Sequence, residues 1–192
     1  MDNNIITERR ISAFVVFGIV LLIITAAVTY AYFTAEIQGS EEEDTVTLKG
    51  GIMQIAFDGG KIINLEGAFP KPGPVATKDF TVTGNNTTVA PMNYTLTLKV
   101  TENTFSSNVL KYRMTGTNDD GSGSTVPDIV DLTDIETGAK DIFLGSGTFG
   151  ATTGGDKVHS YSLEIHFPSS GVIQNEEQNK NFSGYVQILG IE

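Results

Sequence analysis

Two hydrophobic patterns divide the chain. Ile11–Ala31 reads ISAFVVFGIVLLIITAAVTYA, with no charged side chain, and Tyr32 and Phe33 extend it. About twenty apolar residues span a bilayer as a helix. Beyond it the apolar positions recur with period two. In Asn93–Thr101, Tyr94, Leu96, Leu98 and Val100 alternate with Thr95, Thr97, Lys99 and Thr101. Val158–Phe167 sets His159, Tyr161, Leu163, Ile165 and Phe167 against Ser160, Ser162, Glu164 and His166, and Leu110, Tyr112 and Met114 repeat the pattern. Strict alternation predicts strands with one buried face.

Turn residues break up the remainder. Thr45–Phe57 is strand-like, with Gly50-Gly51 marking a bulge or a break. Gly59-Gly60 signals a hairpin leading into Lys61–Leu65. Three prolines make Phe69–Pro74 a connection. Thr77–Thr83 resumes the strand pattern until Gly84-Asn85-Asn86, and Phe182–Leu189 is the last strand, after a polar stretch over Asn175–Asn181. Asn118–Ser124 is an exposed loop. Asp128–Ile135, with Ile129, Leu132 and Ile135 spaced by three, slightly favours a turn of helix. Short strands at this spacing predict an all-β fold, an antiparallel β-sandwich or jelly roll, preceded by one N-terminal transmembrane or signal helix. The divisions are 1–31 as signal peptide or membrane anchor, 32–44 as linker or donor-strand segment, and 45–192 as the sandwich.

Charge orients this arrangement. Arg9 and Arg10 precede the apolar run and Glu41, Glu42, Glu43 and Asp44 follow it, so the positive-inside rule sends the remainder of the chain outward. Residues 1–31 are neutral, so the net charge of −11 belongs to the exported part. Such a surface repels phosphate backbones and argues against nucleic acid as a partner. The chain has no cysteine, which leaves the domain to its core and removes thiol catalysis and Cys-based metal sites.

Little in the sequence carries chemistry. The two histidines, His159 and His166, have an odd separation and face opposite sides of one strand. Glu164 and His166 share a face, but two ligands do not make a zinc site. Asn118–Gly123 is rich in oxygen and glycine like a calcium loop, yet lacks the spacing and terminal Glu of an EF-hand. Phe182 and Tyr185 read as core or sheet-face aromatics. No catalytic residue, metal ligand or cofactor is expected, and the chain does not read as an enzyme. Thr29-Tyr30-Ala31 is a small-x-small ending, which makes Ala31 and Tyr32 the residues flanking a candidate cleavage point. Phe33, Ala35 and Ile37 then alternate with Thr34, Glu36 and Gln38, a short strand able to add to a neighbour's sheet edge.

Several of these residues resemble the TasA/camelysin family of Gram-positive surface and biofilm-matrix proteins. Thr29–Phe33 is similar to that family's signal-peptide end. The order Gly51–Phe57, Ile63–Leu65, Lys71-Pro72-Gly73, Lys78-Asp79-Phe80 and Asn85-Asn86 is similar to its succession of strands and turns. The resemblance covers roughly residues 29–100. It implies a jelly roll, cleavage by a dedicated signal peptidase, and self-assembly into fibres or attachment at the surface. Camelysin-like metallopeptidase activity is not carried over, because no zinc site is recognisable. The expectation is therefore an exported surface or matrix structural protein, held to the membrane through residues 11–31 or released after cleavage. The alternative is a membrane-anchored extracellular binding module.

Overall fold

The computed structural model describes residues 45–50, 53–58, 61–171 and 174–191, with Ile19 apart from them; over 45–58 and 190–191 the description is of backbone. The stretch Ile11–Ala31, the Ala31–Tyr32 pair and the Phe33, Ala35 and Ile37 strand therefore lie outside the described residues, Ile19 excepted. Among the described residues no helix is long and apolar enough to cross a membrane.

Among the described residues there are ten strands and one short 3-10 turn. They are β1 (Thr45–Gly50), β2 (Met53–Asp58), β3 (Ile63–Glu66), β4 (Pro74–Asn86), β5 (Met92–Asn103), β6 (Lys111–Asn118), β7 (Ile129–Asp134), β8 (Lys140–Phe149), β9 (Lys157–His166) and β10 (Asn181–Ile191). All pairings are antiparallel. One sheet has the order β1-β2-β4-β9-β6-β7 and the other β3-β10-β5-β8. The fold is a β-sandwich.

Its connectivity is that of a long ribbon rolled up. β6 pairs with β7, β5 with β8, β4 with β9 and β3 with β10, as if the chain doubled back between β6 and β7. Rolling adds the pairs β6 with β9 and β5 with β10. This nesting is the jelly-roll pattern, with the β1–β2 hairpin added beside β4.

Period-two patterning explains the burial. On β5, Tyr94, Leu96, Leu98 and Val100 turn inward; on β9, His159, Tyr161, Leu163 and Ile165 do the same. They meet Phe80 and Val82 of β4, Tyr112 and Met114 of β6, and Phe182, Val186 and Ile188 of β10 in one core. Phe105 and Phe167 close one region of it edge to face, with ring centroids 5.6 Å apart.

Three sequence expectations change. Asp128–Ile135 is not helical: Ile129–Asp134 is strand β7, paired with β6. Ile129 and Ile135 are six residues apart and both pack inward, as period-two alternation allows, while Leu132 between them falls on the opposite face and stays exposed. Gly59-Gly60 does not close a hairpin, because β2 is already flanked by β1 and β4, and β3 pairs with β10 in the other sheet. Pro74 opens β4 instead of ending a connection, a first-residue position that a strand tolerates.

Strand β8, Lys140–Phe149, carried no signal in the sequence. Gly145 and Gly147 interrupt its alternation, and both are needed for packing. Gly145 has φ of 138° at the shift in register beside Leu96/Thr97, and Gly147 lies against the Tyr94 ring. Gly84 of β4 likewise faces the Phe149 ring so closely that a Cβ would overlap it. Gly84→Ala should therefore destabilise the domain by about 1–3 kcal/mol through overpacking, read as a lower urea midpoint. An unchanged midpoint would mean that Phe149 is not seated over Gly84.

Candidate functional site

The outer face of the six-stranded sheet is polar because the same alternation that buries Phe80, Tyr112 and Tyr161 turns their neighbours outward. Register sets these neighbours in cross-strand rows over β4, β9 and β6. One row is Thr81, Ser160 and Thr117; the next is Asp79, Ser162 and Thr115; then come Thr77, Glu164 and Arg113. The first two rows line an open groove of about 560 Å³, to which Phe80 and Tyr161 also contribute. Ser162 Oγ donates to Asp79 Oδ1 at 2.7 Å. The groove thus offers hydroxyls that both donate and accept, and one carboxylate.

At its end stands an ionic cluster. Arg113 Nε donates to Glu164 Oε2 at 2.7 Å, and His166 Nε2 lies 2.7 Å from the same oxygen. The Arg113 hydrogen bond is the largest influence on the Glu164 carboxyl and, with that of His166, outweighs desolvation and holds it below the usual carboxylate range. His166 is only 7% exposed, yet it lies on the outer side of the strand.

His159 lies on the other side, fully buried between the sheets. Its ring stacks on Phe149 with centroids 4.2 Å apart. Its Nε2 is 2.9 Å from the Ser122 carbonyl, which can only accept, so the hydrogen sits on Nε2. Nδ1 is then the acceptor, and the Tyr94 hydroxyl donates to it at 2.6 Å. Tyr94 in turn takes the hydrogen of Tyr161, whose oxygen accepts from the Val126 N–H at 2.9 Å. The chain is fully satisfied and every member is neutral. Burial pushes both tyrosines above their ordinary value. Burial likewise pushes His159 down, with the Ser122 carbonyl and Asp120 opposing.

The histidines are therefore kept apart by the sheet, and among the described residues no group of three His, Cys, Asp or Glu could hold a metal. The calcium-like loop uses its oxygens on backbone N–H groups of its own and of β9. Asp120 Oδ1 accepts from Ser122 N–H and Oδ2 from Val158 N–H, while Asn118 Oδ1 accepts from Gly121 N–H. Phe182 is a core residue and Tyr185 is half-buried. Sequence reasoning singled out neither the hydroxyl groove nor the tyrosine pair. The alternation of Thr and Ser on three strands was visible, but which strands are neighbours was not.

A scan of family models gives no match, and neither does a search of curated proteins. Among solved structures, this chain is matched to a Podospora anserina GH26-CBM35 β-(1,4)-mannanase at 7% identity and a TM-score of 0.32, covering 80% of this chain and 27% of that one. It is also matched to the CBM22-2 xylan-binding domain of Paenibacillus barcinonensis Xyn10C, at 11% identity and a TM-score of 0.26, covering 83% of this chain and 99% of that one. Likenesses this distant carry no argument about ligand or activity.

Two outcomes follow from the buried network. Tyr94→Phe removes the donor to His159 and the acceptor of Tyr161, and each orphaned group costs about 1–3 kcal/mol, measurable by urea unfolding. His159 has a folded value below its unfolded one, so the unfolded chain takes up the proton first. Its contribution is intact above the ordinary value of 6.5 and declines as pH falls through it, until the lowered folded value is passed. The urea midpoint should therefore drop on acidification through that window, and less so in His159→Gln.

Proposed function

We propose that this chain is an exported cell-surface or matrix structural protein whose subunits join by strand addition. The observation that carries this reading is the margin formed by β7 and β8. Each is the last strand of its sheet, and the short 135–139 connection links them. Among the described residues no strand pairs with the outer side of β7, which exposes Val130 and Leu132; the nearby charge of Asp134 is met by Lys111. On β8, Phe143 is 66% exposed. Edge strands are ordinarily blunted by charge or cover, because their unpaired N–H and C=O groups template another strand. Here Val130, Leu132 and Phe143 stay exposed beside Asp131 and Asp141, and such a margin suits a docking strand whose side chains alternate, as Phe33, Ala35 and Ile37 do. Export by Ile11–Ala31, cleavage after Ala31 by a signal peptidase, and the resemblance to the TasA/camelysin family fit the same reading.

Mass spectrometry of protein from its native host should find Tyr32 at the N-terminus. Deletion of residues 32–38, or Leu132→Lys on the margin, should leave the fold intact and abolish polymers seen by electron microscopy. Met1 retained on all molecules, or fibres unaffected by the deletion, would sink the mechanism.

The groove favours a second reading, an extracellular binding module anchored by residues 11–31. Rows of hydroxyls beside one carboxylate suit a ligand that is itself polyhydroxylated. Calorimetry with a panel of neutral oligosaccharides should then show heat that is lost in Asp79→Ala. Absence of heat across the panel would remove this reading.

A further inference from the structure

We infer that His159 is an acid-operated latch on the 119–128 loop, and that protonation releases the loop at Val126 while leaving it held at Ser122. The loop joins β6 to the edge strand β7. The buried network grips it twice, through the Ser122 carbonyl on His159 Nε2 and through the Val126 N–H on the Tyr161 hydroxyl.

The asymmetry follows from counting hydrogens. In the neutral state they run one way: Val126 N–H to Tyr161, Tyr161 to Tyr94, Tyr94 to Nδ1, and Nε2–H to Ser122. An imidazolium carries N–H on both nitrogens. Its Nε2–H still donates to Ser122, now as a charged and stronger donor. Its Nδ1–H points at the Tyr94 oxygen, so the Tyr94 hydrogen must turn to Tyr161. The Tyr161 oxygen can accept from Tyr94 as well as from Val126 N–H, but its own hydrogen loses the Tyr94 acceptor and is left to turn toward the Val126 N–H. The conflict falls at the Val126 end.

The surroundings of the ring sharpen this effect. The β4, β6 and β8 residues nearest in register or packing are Val82, Asn118 and Phe149, which bring no titratable group. β5 and β9 bring the neutral hydroxyls of Tyr94 and Tyr161. Asp120 is the charged group of the loop acting on the ring; both its oxygens already accept backbone N–H groups, and Lys157 on β9 acts on it in turn. Val126 is fully buried over Gly145 of β8, so its release uncovers part of that strand.

Hydrogen–deuterium exchange on the full-length chain in detergent, read by NMR between about pH 7.5 and about pH 5, tests the latch. One-proton linkage limits the loss of protection to about tenfold per pH unit. The Val126 amide should lose protection at up to that rate once His159 titrates, while β5 amides keep theirs. His166→Gln should behave as the parent does, and His159→Gln should abolish the pH dependence. Should His159→Gln fail to fold, Tyr161→Phe serves instead: it removes the acceptor for Val126 and should leave that amide poorly protected at every pH. Val126 protection that follows β5, a response that persists in His159→Gln, or a parent-like pH response in Tyr161→Phe would each overturn the inference.

Discussion

The two sheets are held in one relative position by the Tyr94 side chain. Its ring belongs to β5 and its hydroxyl reaches β9 on the other sheet, where it meets both His159 and Tyr161. Apolar packing by itself is tolerant of sliding, because dispersion and burial have little directionality. Hydrogen bonds between buried groups are not, because a misplaced partner leaves a desolvated polar atom. The surrounding aromatics fit this constraint: Phe149 packs on both Tyr94 and His159, and Phe80 stacks on Tyr161 with centroids 5.2 Å apart.

Loops answer to the same seam. Ser122 and Val126 are tied to it from the β6–β7 connection, and Ser124 makes a two-bond bridge with Thr148 at the end of β8. At a second place buried Asn86 does comparable work, donating to Ala90 and Gly150 and accepting from Thr88 N–H. These polar ties compensate for the absence of disulfides in a domain whose long-range pairings leave many loops to be closed. Val130, Leu132 and Phe143 remain exposed on the β7–β8 margin, where the proposed assembly would occur.

The strands with strict alternation were legible because burial of one face demands it: β5, β9 and β10 emerged within a few residues of their limits. The failures have particular causes. β8 was invisible because Gly145 and Gly147 take positions where a side chain would collide with Val126 or Tyr94, which erases the periodic signal. β7 looked helical because the outward-facing Leu132 falls midway between the inward Ile129 and Ile135 and imitates a spacing of three. Gly59-Gly60 looked like a hairpin because turn chemistry does not encode which sheet receives the next strand.

The sequence by itself determined the period-two elements, the acidic character of the chain and the division of faces, including the opposite placement of His159 and His166. All of these depend on side-chain chemistry and on local backbone geometry. Only the tertiary structure decided which strands lie side by side. It thereby brought Asp79, Ser162 and Thr115 into one row and joined His159 to Tyr94 across the sandwich. Those residues are far apart along the chain, and nothing in a local pattern specifies a partner that long-range antiparallel pairing alone brings near.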